Sequence, residues 1–332
     1  MPVVPIDEQD LQRRASAAVA AAVPGGVLGP LTRLQGGTSS ITYWAELSVG
    51  SAPASKVVAK VAPAGLAPTK NRDVLRQARL QQALRDTGVP CPAVVAEHEG
   101  TPPEIPPFYV MSFEDGDCVE PNSLPEDESL PPGEVRAREL DAARVLGLLH
   151  ALDPVAVGLG DEPTVTPEQE LTRWTSSLAA CDEDFRPGYE EVRDRLEAAI
   201  PARSESSLIH GDFRLGNTLS KGTGVVSVID WEIWARSDPR VDLAWFLMMC
   251  NPDPELGRRT SAGMPSDKEL LDVYQESRGA TVEHMHWFDA LVRYKQAAIS
   301  ALINRNARRR GAPPPFTGTP ALLRSASKLL SG

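Results

Sequence analysis

The sequence predicts an α+β fold with two lobes, a small antiparallel sheet followed by a larger and mostly helical lobe. Before residue 112, several short segments alternate between apolar and polar residues, which is the period of half-buried strands. After "EDGD", most of the chain has the periodicity of helices. The 332 residues, of which 42% are hydrophobic and 24% charged, suit one large domain or two lobes. We therefore predict an N-terminal lobe over residues 1–112 and a C-terminal lobe over residues 113–332.

The N-terminal lobe is predicted to contain a first helix over residues 7–23, then a sheet with one further helix inserted in it. A half-buried strand is predicted at "ITYWAELSV", with residues 31–34 as its partner across a glycine turn. Further strands are predicted at "KVVAKVAP", "AVVAEHE" and "PFYVMSF". The inserted helix is predicted at "NRDVLRQARLQQALRDTG", where Gly88 and Pro90 end it.

The C-terminal lobe is predicted to be helical apart from two short β-rich segments. These segments are "SSLIHGD" and "VVSVID". We expect them to pair with each other, because neighbouring strand ends would bring the polar residues that follow them together.

Charge and cysteine usage exclude several classes of function. The net charge is −11, so the chain repels phosphate backbones and anionic lipid, and neither nucleic acid nor a membrane is an expected partner. The basic run over residues 305–310 predicts a solvated helix end or, alternatively, a contact with an anionic substrate tail. Four scattered cysteines without a CxxC pattern indicate neither a zinc site nor a disulfide framework, which fits a cytoplasmic protein. Monomer and homodimer both stay open.

Polar residues follow the two β-rich segments in a pattern that suits phosphoryl transfer. Asp212 and Asn217 lie five residues apart in one loop, and Asp230 ends the next segment. Phosphoryl transfer needs a carboxylate for the acceptor hydroxyl, oxygen ligands for Mg²⁺ and a cation for the transferring group. Each of these residues alone is more often a turn residue, and a lone His210 is more often a buried structural histidine. The whole set at this spacing predicts a site for phosphoryl transfer.

The N-terminal lobe offers groups for a nucleotide. The hairpin turn "GGTSS" would lay backbone N–H groups over phosphates, although the same residues also make ordinary hairpins. Its residues include Gly37, Thr38, Ser39 and Ser40. Lys60 lies in an apolar strand, where a lysine is either an exposed edge charge or an inward charge with a partner. An inward Lys60 would reach the α- and β-phosphates. The chain has no Walker A pattern, so a P-loop fold is not supported.

With these motifs in view, the sequence resembles the aminoglycoside phosphotransferase family, which has a bilobal protein-kinase-like fold. The resemblance rests on "LIHGDFRLGNTL" and "VVSVIDWEIWARSDPRVDLAWFL" and extends over nearly the whole chain. Within the family, the chain is most similar to the branch found fused to, or near, acyl-CoA dehydrogenases. The resemblance implies a small-molecule kinase that transfers the γ-phosphoryl group of ATP or GTP to a hydroxyl with Mg²⁺.

The resemblance implies a role for each matched residue of the reaction centre. Asp212 is implied to be the catalytic base that engages the acceptor hydroxyl. Asn217 and Asp230 are implied to bind Mg²⁺, and Lys60 to contact the nucleotide phosphates.

The resemblance also implies supporting roles around this centre. His210 would order the catalytic loop, and Asp242 would brace the same loop by accepting hydrogen bonds. Glu232 would lie near the metals or the substrate. The hinge backbone from Met111 to Phe113, within "FYVMSFEDGD", would bind the edge of the adenine or guanine base.

One position departs from the family's pattern. The family's inserted helix usually carries a glutamate that pairs with the strand lysine, and this chain has Gln77 there. A glutamine can hydrogen-bond an ammonium but supplies no charge, so Lys60 would be held less firmly unless Asp73 substitutes. The base and both metal ligands are present, so we favour an active kinase over a nucleotide-binding pseudokinase.

The acceptor is less constrained by the sequence than the nucleotide. The branch resemblance favours a hydroxy acid or a hydroxyacyl thioester over an aminoglycoside or another antibiotic. Five aromatic residues of the C-terminal lobe would line an apolar acceptor pocket or, more simply, belong to the core; they are Trp231, Trp234, Trp287, Phe288 and Tyr294. A third class of function, a non-haem iron oxygenase, is suggested by His210 and Asp212 with a distant His284 or His286, but the helical second half argues against it.

Overall fold

The computed structural model of the chain describes residues 5–34, 39–252 and 259–331. Within these ranges the predicted α+β class is confirmed: an antiparallel sheet occupies the first part of the chain, and helices dominate the rest. All strands of the main sheet lie before residue 113. The division of the chain into two lobes at residue 112 stays a prediction.

The main sheet has six antiparallel strands. Their bounds are β1 (Gly26–Leu28), β2 (Thr32–Arg33), β3 (Ile41–Val49), β4 (Ser55–Val61), β5 (Val94–His98) and β6 (Phe108–Ser112). The strand order is β1-β3-β4-β6-β5, and β2 also pairs with β3. Strand β4 is therefore central, and its Lys60 lies opposite Thr42 of β3 and Tyr109 of β6.

Two helices cover opposite faces of this sheet. Helix α1 (Glu8–Ala22) packs Leu11, Ala15 and Val19 onto one face. Helix α2 (Val74–Leu84) packs on the other face, where Val74 and Ala78 join residues of β6. Because successive strand residues point to opposite faces, the buried positions 57, 59 and 61 of β4 face α1 while residue 60 faces the side of α2.

The helical part is built around two cores. Its helices are α3 (Pro132–His150), α4 (Pro167–Ala179), α5 (Tyr189–Ala198), α6 (Arg240–Cys250), α7 (Asp267–Arg278), α8 (His286–Arg309) and α9 (Thr319–Leu329). Helix α8 is the centre of one core, with α4, α5, α6 and α9 around it. Helix α3 is the centre of the second core, where it packs on α7 and on short strands of the helical part. Capping boxes at Thr166 and Ser266 fix the starts of α4 and α7.

Two small sheets carry the polar motif, and here one prediction was wrong. The strands are β7 (Thr164–Val165), β8 (Ser207–Ile209), β9 (Thr218–Lys221), β10 (Gly224–Val228) and β11 (Ala235–Ser237). Strand β8, within "SSLIHGD", pairs with β11, and β10, within "VVSVID", pairs with β9, so β8 and β10 do not pair with each other. The reason is local: β9 and β10 form a hairpin whose turn is closed by Gly222 at a φ of +61°.

The remaining sequence predictions concern membrane helices, the cysteines and the basic run. None of the helices that the structure describes has the length and apolar character needed to cross a membrane. The four cysteines are free thiols. The basic run ends α8 as a solvated helix end, where Arg308 pairs with Asp182 at 2.8 Å and with Asp184 at 2.5 Å.

Candidate active site

The loop after β8 is fixed by the ring of His210. This histidine is fully buried, and its Nε2 lies 2.8 Å from the carbonyl oxygen of Ile229, at the end of β10. The other ring nitrogen, Nδ1, accepts a hydrogen bond of 3.2 Å from the backbone N–H of Asp212. The ring also packs against Trp231, with 4.7 Å between ring centroids. His210 therefore joins the two segments that do not pair as strands.

Asp242, in the first turn of α6, holds the start of the same loop. It is fully buried, and its carboxylate accepts the backbone N–H of His210 at 2.5 Å and that of Gly211 at 2.8 Å. Burial works to raise the pKa of this carboxyl, but the pKa lies below its usual value because His150, 3.6 Å away, and the Lys295 ammonium favour the carboxylate. Asp242 is thus an ionised anchor beneath the loop.

Gly211 makes the turn that presents Asp212. Its φ is +88°, in the region that favours glycine, and a Cβ atom there would come within 2.7 Å of the carbonyl oxygen of Ile233. No other residue fits this position without moving the segment around Ile233.

Asp212 and Asn217 are in direct contact. The Asn217 side-chain nitrogen donates to the Asp212 carboxylate and to the Asp212 carbonyl, both at 2.8 Å. Arg214 contributes a cation, with its Nε 3.5 Å from the Asp212 carboxylate and its guanidinium 3.1 Å from Glu120. We did not assign Arg214 from the sequence. Its position two residues after Asp212 in "HGDFRLGN" was the available signal, together with the need for a cation near the transferring group.

Asp230 follows β10, next to the residue that bonds to the backbone of Asn217. Its φ of +64° places it in the left-handed region, and its side chain is 46% exposed. The backbone N–H of Ile229, the residue before it, donates to the carbonyl oxygen of Asn217 at 2.9 Å. The Asn217 amide nitrogen is engaged with Asp212, so its side-chain oxygen is the atom left to act as a ligand. Together with the Asp230 carboxylate, this gives the hard oxygen donors that Mg²⁺ prefers.

Lys60 connects the main sheet to this loop region. Its ammonium lies 3.2 Å from the Asp230 carboxylate and 3.3 Å from the side-chain oxygen of Gln77, and its side chain is 13% exposed. Of the two interpretations of Lys60, the structure therefore supports the second, an inward charge with partners. Gln77 is buried and also donates to the carbonyl oxygen of Asn71 at 3.4 Å. Asp73 does not stand in for a glutamate partner: its carboxylate caps α2 by accepting the N–H of Arg76.

The residues expected around the nucleotide are spread over the turn and the hinge. Gly37 and Thr38 lie outside the described residues. Ser39 and Ser40 are both buried, and the Ser39 hydroxyl donates to the carboxylate of Glu232. Burial raises the pKa of Glu232, and the nearby Asp230 charge raises it further, whereas the Ser39 hydroxyl lowers it.

The hinge follows directly from β6. Met111 is buried within the sheet, and Phe113 is exposed. The backbone N–H of Phe113 donates to the carbonyl oxygen of Lys56 at 3.1 Å. The backbone N–H of Ser112 donates to the carbonyl oxygen of Ala93 at 2.8 Å, so both N–H groups already have a partner within the protein.

A cleft of about 400 Å³ borders this centre on the side of α2 and α4. Glu232 and Ile233 form part of its wall, so it begins beside the turn at Gly211. Lys70 and Arg173 also line it, and both are exposed. The Arg173 guanidinium lies 4.7 Å from the centre of the Trp174 ring.

The aromatic residues and histidines of the C-terminal part belong mostly to the core or to a separate cavity. The five aromatic residues considered for an acceptor pocket are at most 1% exposed and pack in the core; they are Trp231, Trp234, Trp287, Phe288 and Tyr294. Of these, Trp234 also contributes to the wall of the cleft of about 400 Å³. His284 and His286 line a separate cavity of about 820 Å³, and both nitrogens of His210 are engaged elsewhere. Within the ranges that the structure describes, no three His, Cys, Asp or Glu side chains are grouped as a metal site. The iron interpretation therefore has no site here.

Comparisons with known proteins show which sequences and folds the chain is similar to. The chain is 28% identical over 290 residues to acyl-CoA dehydrogenase family member 10 of Mus musculus, a match that covers 82% of this chain and 26% of that protein. The chain thus spans only about a third or less of the length of the curated relatives it matches.

Solved structures share the fold. A Ralstonia eutropha protein provisionally assigned as an aminoglycoside phosphotransferase has a TM-score of 0.73 at 22% identity, with 96% of this chain and 95% of that chain covered. A Streptomyces rimosus aminoglycoside phosphotransferase, solved with ADP and streptomycin, has a TM-score of 0.53 at 16% identity, with 89% and 99% covered. The model of the phosphotransferase enzyme family matches residues 30–284, well over half of the chain. The chain belongs to this phosphotransferase enzyme family and has its kinase-like fold.

Proposed function

We propose that this phosphotransferase is a Mg²⁺-dependent small-molecule kinase that transfers the γ-phosphoryl group of ATP or GTP to a hydroxyl. One observation carries the proposal: the loop that contains Asp212 and Asn217 is hydrogen-bonded to the segment that precedes Asp230, and Lys60 reaches Asp230 from the main sheet at 3.2 Å. A base, two oxygen ligands and a cation are the protein's parts in phosphoryl transfer.

The residues divide the work as follows. Asp212, whose side chain is 31% exposed and so accessible to a substrate, accepts the proton of the acceptor hydroxyl as that oxygen attacks the γ-phosphorus and the nucleoside diphosphate leaves. Arg214 and Lys60 supply positive charge on either side of the transferring group. When bound, Mg²⁺ would be held by Asn217 and Asp230 and would neutralise charge on the phosphate oxygens.

The nucleotide is proposed to lie between the sheet and the catalytic loop. Lys60 contacts its phosphates, and Ser39 and Ser40, which precede β3, lie beside them. The base lies along the hinge at Met111 and Phe113. The ADP named for the Streptomyces rimosus structure supports a nucleotide in this fold, and ATP and GTP both fit the proposal.

The acceptor is proposed to be anionic, a hydroxy acid or a hydroxyacyl thioester. The support is the cleft beside Gly211, which Lys70 and Arg173 line with exposed cationic side chains. A carboxylate or phosphate on the acceptor would be attracted there, whereas a polycationic aminoglycoside would be repelled. The similarity to acyl-CoA dehydrogenase family member 10 favours the same acceptors.

The first experiment measures thermal stability with Mg-ATP and with Mg-GTP, for the wild type and for Asp230→Asn. A ligand at a hundred times its dissociation constant should stabilise the protein by about 2.7 kcal/mol. We expect a Mg²⁺-dependent increase with one nucleotide or both, and its loss in Asp230→Asn. Asp272→Asn, an exposed position on α7, is the matched control and should keep the increase. No increase with either nucleotide would contradict the proposed nucleotide site, whereas a Mg²⁺-dependent increase without phosphoryl transfer to any acceptor would favour the pseudokinase alternative.

The second experiment tests the acceptor class. Hydroxy acids and hydroxyacyl thioesters are screened for nucleotide-dependent phosphorylation, and the active ones are compared in Lys70→Ala and Arg173→Ala. We expect KM for the acceptor to rise about tenfold, as for the loss of one charge contact, with kcat little changed. Lys268→Ala, at an exposed site on α7, serves as the control. An unchanged KM in both cleft variants would contradict an anionic acceptor in this cleft.

A further inference from the structure

We propose that Lys295, in the middle of α8, is a positioning residue for Asp212, because its ammonium holds the Gly211–Asp212 peptide through the carbonyl oxygen of Gly211. The effect on turnover rests on the proposed function. The effect on the loop itself does not, so the two can be tested apart.

Lys295 is almost fully buried, which is uncommon for a lysine. It is 3% exposed, and its ammonium donates to the carbonyl oxygen of Gly211. The ammonium also lies 4.1 Å from the centre of the Trp245 ring and 5.6 Å from that of the Trp174 ring. Two aromatic faces and one loop carbonyl therefore surround the charge, an environment that suits a cation.

The contact completes a set of bonds that fixes the direction of Asp212. The N–H of Gly211 donates to Asp242 at 2.8 Å, and the N–H of Asp212 donates to His210 at 3.2 Å. The Gly211 carbonyl, between these two N–H groups, is taken by Lys295. The peptide groups on both sides of Gly211 are thus held, and at a φ of +88° the glycine would otherwise have an unusually free backbone. Loss of the ammonium would free the carbonyl oxygen of Gly211, and among the described residues only the bond from the Asp212 N–H to His210 would then hold this peptide.

A purely structural role would not require a charge at this position. Burying an ammonium is costly, and burial does lower the pKa of Lys295, while the carboxylates of Asp212, Asp242 and Glu170 act in the opposite direction. A methionine would fill nearly the same volume without that cost. What the lysine adds is a charged donor aimed at the catalytic loop, and such donors make shorter and stronger hydrogen bonds than neutral ones.

The experiment compares Lys295→Met with the wild type by two measurements. Hydrogen–deuterium exchange is followed in the peptide that covers residues 206–219, and turnover of Mg-ATP and Mg-GTP is measured with water as the acceptor. We expect exchange to become faster in this peptide alone. Turnover should fall about a hundredfold in kcat, as for a misplaced catalytic group, with nucleotide KM within about twofold.

The matched control is Arg293→Met, which removes a cation two residues earlier on the same helix. Arg293 bonds to Ser325 and to the Asp289 carbonyl, away from the catalytic loop. It should leave exchange in the 206–219 peptide and kcat near their wild-type values. Lys295→Arg keeps the charge and should retain more turnover than Lys295→Met.

Several results would overturn the proposal. One is unchanged exchange in the loop peptide of a folded Lys295→Met protein, and another is faster exchange throughout the protein, which would show a general structural role. If Lys295→Met does not unfold cooperatively, Lys295→Gln replaces it, and wild-type exchange and turnover in that variant would also contradict the proposal. A wild type that turns over neither nucleotide, with water or with any of the screened hydroxyl acceptors, would refute the proposed function, while the exchange measurement would still decide the role of Lys295 in the loop.

Discussion

The loop of residues 210–217 and strand β4 are brought to one site, where Lys60 contacts Asp230, but the structure holds them in different ways. At the loop, His210 and Asp242 are fully buried, and Asp242 accepts two backbone N–H groups at 2.5 and 2.8 Å. At the strand, Lys60 has longer contacts of 3.2 and 3.3 Å, and one of its partners, Asp230, is 46% exposed. The loop is therefore organised before any ligand binds, whereas the groups on the strand side are open to rearrangement by a nucleotide.

A second contrast shows what organises the loop. Asp242 and Glu139 are both buried carboxyls of the helical part, at 0% and 1% exposure. The pKa of Asp242 lies below its usual value, whereas burial raises the pKa of Glu139 to about 8, with the Cys250 thiol as its hydrogen-bond partner. Burial alone would neutralise a carboxyl, so the ionised state of Asp242 depends on the N–H groups and cations gathered around it.

The largest effect, on stability and activity together, is expected when the loop anchor is broken by Asp242→Asn. The amide keeps the shape but has one acceptor for two backbone N–H groups, and it removes the negative charge that faces Lys295. We expect the free energy of unfolding to fall by about 3 kcal/mol and phosphoryl transfer to be nearly lost. Urea unfolding and nucleotide turnover measure the two effects. A variant that keeps wild-type stability and turnover would remove the basis for the contrast between loop and strand.

The next largest effect is expected for Glu139, the buried carboxyl with the raised pKa, in how the free energy of unfolding depends on pH. Glu139 has a folded-state pKa of about 8, above the usual 4.5, so the folded protein binds its proton more tightly than the unfolded chain does. This contribution to stability is complete below about pH 4.5 and is lost as the pH rises toward 8. Glu139→Gln does not titrate, so it should exceed the wild type in unfolding free energy at pH 9 by on the order of 5 kcal/mol.

Chemical unfolding from pH 5 to pH 9 would test this prediction. Glu276→Gln, at an exposed position on α7, is the control and should follow the wild-type curve. Parallel curves for Glu139→Gln and the wild type would mean that Glu139 is ionised when buried, and the contrast with Asp242 would disappear.

The two regions also differ in how far the sequence predicted them. Periodicity located the strands around Lys60 and the inserted helix, because a half-buried strand and an amphipathic helix leave a regular apolar pattern. The pairing of β8 with β11 was not predictable in this way, because three-residue strands carry no register information. Lys295 was also missed: a single lysine on a long helix usually faces solvent, and its burial depends on Trp174 and Trp245, which come from two other helices.

The strand side should respond more weakly to change, and Gln77→Glu tests this. A glutamate would give Lys60 a second charged partner besides Asp230, but it would lose the bond that Gln77 donates to Asn71. We expect nucleotide affinity to rise by less than about tenfold, the size of one partly exposed ion pair. Titration calorimetry with Mg-ATP and Mg-GTP gives the dissociation constants. Gln81→Glu, on the same helix but bonded to Tyr109, is the control and should bring no gain in affinity. A gain of a hundredfold or more would mean that Lys60 is poorly placed in the wild type and would support the pseudokinase alternative.

The smallest effect is expected for Ser39→Ala, at the contact between the nucleotide turn and Glu232. The Ser39 hydroxyl donates to the Glu232 carboxylate, and this bond lowers a pKa that burial raises. The bond therefore stabilises the folded state more strongly when Glu232 is ionised, and its contribution falls as the pH falls toward the raised pKa. Ser39→Ala should cost about 1 kcal/mol of unfolding free energy at pH 8 and less at pH 5. The same substitution in a Glu232→Gln background should have an effect that does not change with pH. If Ser39→Ala instead matched the cost of Asp242→Asn, this side of the cleft would be as firmly organised as the loop, and a nucleotide would enter a site that is already rigid on both sides.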